Sequence, residues 1–305
     1  MTAKPIRNIG ASVRRRLLNK AREEKRGLQE LMQYYAMERF LYRLSVSPYA
    51  DQFVLKGALL LRVWQTPLAR PTMDIDMLGR LSNDEQSIQG VIRQILAEHC
   101  DDGIDFDPAS ISVEPITEGA ENKGQRVKFR GELDAARIII QIDLGFGDRV
   151  YPDPSRQRLP SLLDFPEAEL YCYTRESVIA EKFEAMIKHG VLNSRMKDFY
   201  DIWMLSRQYD FQGKSLCDAM RQTLEQRRTE LVLPVVAFSS DFIAAKQVQW
   251  KAFRKRLPNE SVPEMFDEVV QQLQVFLAPV VEAIGVKKRF VDIWIAPDSW
   301  QKSHE

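Results

Sequence analysis

From Leu28 to Leu44 the apolar side chains fall at Leu28, Leu31, Met32, Tyr35, Ala36, Phe40 and Leu44, a spacing that predicts a helix. The chain therefore opens with helices. The stretch DQFVLKGALLLRVW changes period. Phe53, Val54 and Leu55 predict a short strand, Lys56-Gly57 a tight turn, and the second apolar run a helix to about Trp64. Beyond Pro67 and Pro71, TMDIDML predicts another strand. A helix follows, with Ser82 and Glu85 spaced as a capping box and Ile88, Val91, Ile92, Ile95 and Leu96 forming one stripe.

Residues 110–147 read as strands. ISVEPI alternates, QRVKFRGEL does so in part, and ARIIIQIDLGF has the β-branched richness of a central strand. Asp134-Ala135 suits the turn of an antiparallel hairpin between the last two. The character then changes: Pro152, Pro154, Pro160 and Pro166 fall close together and predict a linker or surface loop, and a domain boundary there. From Glu176 onward the pattern is almost wholly helical, over 176–189, 195–208, 213–230 and 264–283. The expected fold class is α+β. Residues 1–150 hold N-terminal helices and a small mixed β-sheet core; residues 151–305 hold the linker and a helical C-terminal domain.

Composition narrows the chemistry. The 305 residues are 45% hydrophobic and 28% charged, ordinary for a folded chain. No apolar run approaches the roughly 20 residues of a membrane span, and the first residues lack the apolar core of a secretion signal, so a cytoplasmic location is expected. Cys100, Cys172 and Cys217 are scattered, which argues against a disulfide framework or a structural zinc site. With only His99, His189 and His304 available, a metal would have to be held mostly by carboxylates, and oxygen ligands favour Mg²⁺ or Mn²⁺. Formal net charge is zero, yet residues 1–30 carry nine Lys/Arg against three Glu. That excess is either a solvated terminus or a contact to phosphates.

The candidate chemistry begins with Asp74 and Asp76. Two residues apart on a strand, they project from one face, with Ile75 and Met77 on the other. Like charges this close repel, and a divalent cation removes the conflict. In Arg137–Leu144, Ile138, Ile140, Ile142 and Leu144 share one face while Ile139, Gln141 and Asp143 take the other. Asp143 is then either a third ligand on a neighbouring strand or a cap for the turn Gly145-Phe146-Gly147. Lys56-Gly57, before a helix, is either a plain turn or a loop whose backbone N–H groups approach a phosphate. In the helical half, Lys182 flanks the stripe of Ile179, Phe183, Met186 and Ile187. Asp198 lies in line with Ile202 and Leu205. Lys182 and Asp198 read as a structural ion pair across two helices, or as a lysine held ready for a triphosphate.

In order, these pieces are K-G near a helix start, R-P-T-x-D-x-D, I-D-L-G-x-G-D, A-E-K and R-x-K-D-x-x-D. The order resembles the AbiEii-type nucleotidyltransferase toxins of type IV toxin–antitoxin and phage abortive-infection systems, from about Phe53 to about Leu205. The resemblance implies a polymerase-β-like core and a helical C-terminal half. It also implies transfer of nucleotide from an NTP with Mg²⁺, to tRNA 3′ ends in some members, which blocks translation. By position, Asp74 and Asp76 match the metal-binding pair and Asp143 the third acidic position. Lys182 matches the phosphate-contacting lysine. Asp198 matches the aspartate of the next helix, with Arg195, Lys197 and Asp201 beside it. Lys56, Gly57 and Ala58, with Lys182 and Arg195, fall at nucleotide-binding positions. Ala58 departs from the pattern, because many nucleotidyltransferases place a phosphate-contacting serine there.

The reading is a nucleotidyltransferase toxin acting on RNA, with tRNA as the expected acceptor and a neighbour-encoded antitoxin as partner. The attacking group would be a hydroxyl, and Lys182 would help neutralise the departing pyrophosphate. A transferase acting on protein or a small molecule is the nearest alternative, and a non-catalytic binding module the more distant one. Lys251, Arg254, Lys255 and Arg256, or Arg14–Arg16, are candidate RNA contacts or ordinary solvated faces.

Overall fold

The N-terminal apolar period becomes two helices, α1 (Ile9–Glu23) and α2 (Leu28–Val46). The structure is a computed structural model that describes residues 8–67, 70–116, 124–257 and 261–303. Lys4 and Arg7 of the N-terminal basic stretch lie outside these residues. Asn8 caps α1 by accepting the Ala11 N–H at 2.9 Å. Helix α2 is buried on most of its circumference, polar residues included. Burying Arg43 is tolerated because its guanidinium reaches both oxygens of Asp102, at 2.7 and 3.1 Å.

Next come β1 (Phe53–Lys56), a 3₁₀ turn over Gly57–Leu59 and the one-turn helix α3 (Leu60–Val63). They are followed by β2 (Ile75–Gly79), α4 (Glu85–Leu96), β3 (Ile104–Ile116), β4 (Gly124–Leu133), β5 (Ala136–Phe146), β6 (Ser155–Leu159) and β7 (Ala168–Cys172). The strands form one seven-stranded mixed sheet in the order β3-β4-β5-β2-β1-β7-β6. Strand β2 runs antiparallel to β1 and parallel to β5. Strands β4 and β5 form the expected hairpin, pairing Leu133 with Ala136. Asp134 takes the left-handed conformation there, φ +51°, one that Asp tolerates better than most residues.

Three details differ from expectation. The N-cap of α4 is Asp84, which accepts the Ser87 N–H at 2.8 Å, while Ser82 donates to Asp84 at 2.6 Å. An aspartate directly before the first helical residue caps as well as a serine and adds a favourable charge against the helix dipole. Strand β3 begins at Ile104, several residues early. The proline-rich stretch contains β6, and β7 follows it, so the sheet continues past residue 151.

The chain divides into two compact units. The first takes the described residues up to Gln65, Pro71–Gly147 and Ser155–Cys172, and holds the sheet with α1–α4. The second takes the described residues of Thr66–Arg70, Asp148–Pro154 and the described residues from Tyr173 on. It contains α5 (Arg175–His189), α6 (Met196–Gln208), β8 (Phe211–Gln212), α7 (Gly213–Gln226), α8 (Ser240–Arg254), α9 (Phe266–Gly285), β9 (Ile293–Ile295) and β10 (Ser299–Gln301). This half is mostly helical, as expected, and adds the small sheet β10-β9-β8, which the sequence pattern did not announce. It closes over the fully buried Trp294, whose ring meets Phe276 edge-on with centroids 4.9 Å apart.

Candidate active site

Strand register builds the first cluster. Lys56 on β1 lies opposite Asp76 on β2, and Asp76 lies beside Asp143 on β5. Their flanking residues Ile75, Met77, Ile142 and Leu144 are all buried on the far side of the strands. That is the alternation expected when an apolar face packs on the core and the other carries polar groups. Asp74 does not lie on the strand, as the sequence suggested; it precedes the first residue of β2. Helix α2 holds that segment in place. The Tyr34 hydroxyl accepts the Thr72 N–H at 2.8 Å. Gln33 Nε2 donates to the Met73 carbonyl at 3.1 Å and the Ile139 carbonyl at 2.9 Å, tying the segment to β5. Thr72 Oγ1 then donates to Asp74 at 2.5 Å.

The outcome is that one oxygen from each of Asp74, Asp76 and Asp143 lies within 4.8 Å of the others. Among the described residues this is the only group of three His, Cys, Asp or Glu side chains so arranged. At that separation each pair of charges repels by roughly 3 kcal/mol for an effective dielectric of about 20. Asp143 is steadied by Arg126, which donates to both its oxygens at 2.8 Å, and by Gln141 Nε2 at 3.2 Å. The alternative of Asp143 as a cap for the following turn is not needed, since its oxygens are turned to Arg126 and to the other carboxylates. An all-oxygen set of this kind fits a hard divalent cation.

Gly57 has a part that the sequence reading missed. Its φ is +74°, and a Cβ placed on it would sit 2.0 Å from Asp76 Oδ2 and 2.7 Å from Asp76 Cβ. The absent side chain is the space that the Asp76 carboxylate fills. Lys56, Gly57 and Ala58 thus border the acidic cluster, with Ala58 buried.

The second cluster belongs wholly to the second unit. Lys182 on α5 donates to Asp198 on α6 at 2.8 Å and lies 2.8 Å from Asp201. Arg195 reaches Asp198 at 2.5 Å, and Arg70 grips both oxygens of Asp201 at 2.9 and 3.1 Å. The arginine of R-P-T-x-D-x-D therefore meets the last aspartate of R-x-K-D-x-x-D, a link that no periodicity announces. Asp198 is fully buried and Lys182 keeps 14% of its side chain exposed, whereas Arg195 keeps 46%. Burial alone would raise the Asp198 carboxyl; Lys182 and Arg195 outweigh it and bring it down to about 2. Burial likewise opposes ionisation of Asp201, and Arg70 with Lys182 hold it below its ordinary value. Burial would depress the Lys182 ammonium, but Asp198 and Asp201 keep it above its ordinary value. The group is therefore a fully charged ion network at neutral pH.

The basic stretches named from sequence are partly neutralised. Arg14 pairs with Asp134 at 3.4 Å and Arg16 with Asp164 at 2.8 Å; Lys251 lies 3.5 Å from Glu264, and Arg254 donates to the Val262 carbonyl.

The sequence profile of a family described as nucleotidyl transferase AbiEii toxin, type IV toxin–antitoxin system, matches residues 39–272, more than half of the chain. No curated protein gives a significant sequence match. Among solved structures, JHP933 from Helicobacter pylori has a similar fold at 14% identity, covering 86% of this chain and 95% of that one with a TM-score of 0.50. A candidate nucleotidyltransferase from H. pylori, also 14% identical, covers 87% of this chain and 100% of its own at a TM-score of 0.49.

Proposed function

The chain belongs to the AbiEii family of nucleotidyltransferase toxins of type IV toxin–antitoxin systems, and from that premise we propose that it transfers a nucleotide from an NTP to an RNA acceptor, tRNA foremost, with Mg²⁺ or Mn²⁺ held by Asp74, Asp76 and Asp143. The observation that carries the reading is the convergence of those three carboxylates to within 4.8 Å, with Asp76 seated against the bare α-carbon of Gly57. A bound divalent cation would draw charge from the NTP phosphates and favour ionisation of the attacking hydroxyl.

The chain's own residues do the positioning. Asp76 and Asp143 are aligned by strand register, and Arg126 fixes the Asp143 carboxylate in one plane by its two-pronged hydrogen bond. Thr72 orients Asp74 through its hydroxyl hydrogen bond. Lys56 and the backbone N–H groups of Gly57 and Ala58, at the start of a helical turn, are offered as phosphate contacts. The hydroxyl that a serine at position 58 would add is absent, so the loop relies on backbone donors. In the second unit, three cations, Arg70, Lys182 and Arg195, surround two carboxylates, Asp198 and Asp201. The surplus positive charge supports a phosphate-binding part for this group. Arg195, half exposed although its Nε is bonded to Asp198, is the arm best placed to reach a phosphate, and Lys182 with Asp198 holds the group together.

The NTP and an antitoxin encoded nearby are the partners the family implies. Action in the cytoplasm, where NTPs and tRNA are found, is part of the proposal. Among the described residues no helix is long and apolar enough to cross a membrane.

The test is a transfer assay with total tRNA, each α-labelled NTP in turn, and Mg²⁺ or Mn²⁺. Label is expected on RNA and absent with Asp76→Ala. Label on no macromolecule, or transfer untouched by that substitution, refutes the mechanism. Label on polypeptide instead reassigns the acceptor. Growth arrest on expression, relieved by the neighbouring reading frame, is the expected sign of the toxin role.

A further inference from the structure

Within the second unit, α7 and the C-terminal end of α9 border a cleft of about 850 Å³. Its apolar lining includes Leu224, Leu231, Ile284 and Phe290. Phe290 is held edge-on to Trp300 with ring centroids 4.7 Å apart, and it packs so closely on Gly213 that a Cβ there would lie 2.6 Å from the ring. Lys214, Arg228, Lys287, Lys288 and Arg289 line the cleft, all exposed, and among the described residues none of the five makes an ion pair. A sixth cation, Arg221, is tied to Asp218 at 3.0 Å. Against these six stand three acids, Asp218, Glu225 and Glu230. The chain as a whole carries no net charge, so the surplus is local.

Helix ends account for part of this pattern and not for the rest. Arg228 and Lys287 follow the C-termini of α7 and α9, where a cation is favoured by the helix dipole. Lys214 lies in the first turn of α7, the end that disfavours a cation, and no acid pairs with it. Lys288 and Arg289 lie beyond the helix. Cations that gather without acidic partners are explained by an anion from outside the chain. A cleft of this volume is far larger than a phosphate ion and has an aromatic ring in its wall, which suits a sugar–phosphate chain carrying bases.

We propose that this cleft binds the sugar–phosphate backbone of the RNA acceptor, through Lys214, Arg228, Lys287, Lys288 and Arg289, with Phe290 available to a base. The inference rests on the reading of the acceptor as RNA. It names a surface that neither basic stretch suggested by the sequence includes.

Arg228 and Lys287 allow a clean test. Both have positive φ, +50° and +54°, so glycine removes the cation while easing the backbone. Labelled tRNA is titrated into wild type and the Arg228→Gly/Lys287→Gly variant by fluorescence anisotropy, across a salt series, with ATP and poly-glutamate as separate ligands. The variant should keep its thermal midpoint, bind tRNA roughly tenfold to a hundredfold more weakly at about 0.1 M salt, and show a salt slope shallower by roughly two. Unchanged tRNA affinity and slope, with label still transferred to RNA, overturns the cleft and leaves the acceptor reading standing. Loss confined to ATP or to poly-glutamate also overturns it, in favour of a nucleotide or an acidic protein. A wild type that binds no tRNA and labels none removes both readings together.

Discussion

The two charged clusters solve opposite problems. Around Asp76, three carboxylates converge to within 4.8 Å, like charges whose mutual repulsion a divalent cation would relieve. Around Asp198, cations and carboxylates alternate at 2.5–3.1 Å, and both carboxylates find their partners within the chain. The first trades stability for the ability to bind; the second removes buried charge from jeopardy by pairing it. Charge conflict therefore marks the metal-binding reading more sharply than charge pairing marks a catalytic one.

Substitutions separate the two. Asp198→Ala leaves Lys182 and Arg195 facing an emptied, buried position, and should destabilise the protein by roughly 3–5 kcal/mol, read as a lower urea midpoint at unchanged slope. Asp76→Asn should do the reverse. Transfer activity should fall by about 10²–10³-fold or more, while the thermal midpoint of the metal-free protein holds or rises because one source of repulsion is gone. If both variants lose stability alike, the contrast fails.

Gly57→Ala should fall between them. It forces a Cβ against the Asp76 carboxylate at a positive φ, so a stability loss of about 1–3 kcal/mol is expected together with lost transfer. Activity retained would mean that the Asp76 position is less fixed than its packing implies. Arg126→Gln releases Asp143 from its two-pronged clamp. Mn²⁺ affinity, followed by paramagnetic relaxation, should change by roughly tenfold, and no change would reduce Arg126 to a surface ion pair.

The smallest effect concerns pH. Asp198 titrates at about 2 in the folded chain, below its ordinary 3.8. The unfolded chain therefore takes up the proton first on acidification, and the stabilisation present above pH 4 erodes as the pH falls towards 2. Lys182 acts at the other end: its raised pKa contributes stability below about pH 10.5 that is lost as pH rises through the folded value. Urea midpoints followed between pH 5 and 2 should decline less steeply in Asp198→Asn than in wild type.

Much of this was readable in the chain. Asp76 and Asp143 were placed by period-two alternation, which survives in any strand with one buried face. Lys182 and Asp198 were placed by helical spacing, and their pairing followed. Arg126 was missed although counting back from Leu133 opposite Ala136 puts it opposite Asp143. The contact between Gly57 and Asp76 was not legible, because the absent side chain makes room for a carboxylate on β2, a strand distant in sequence. Helix α8 was missed because its buried residues, Phe242, Lys246 and Trp250, form a narrow stripe with a lysine in it. Strands of two or three residues, as in β8–β10, are too short to show alternation. The basic cleft joins residues near 214–231 to others near 284–290, and only tertiary packing brings those stretches together.

The central position of β2 has a consequence in time. Strands β5, β2 and β1 each have a hydrogen-bonded neighbour on both sides, and the sheet ends in β3 and β6. Sheets open from their edges inward, so the amides of β2 should be among the last to exchange with deuterium. Asp76 and Asp143 then ride on a part of the sheet that fraying at β3 or β6 does not reach. Their separation is set when the sheet forms and lasts for the lifetime of the folded molecule, through many visits of a nucleotide.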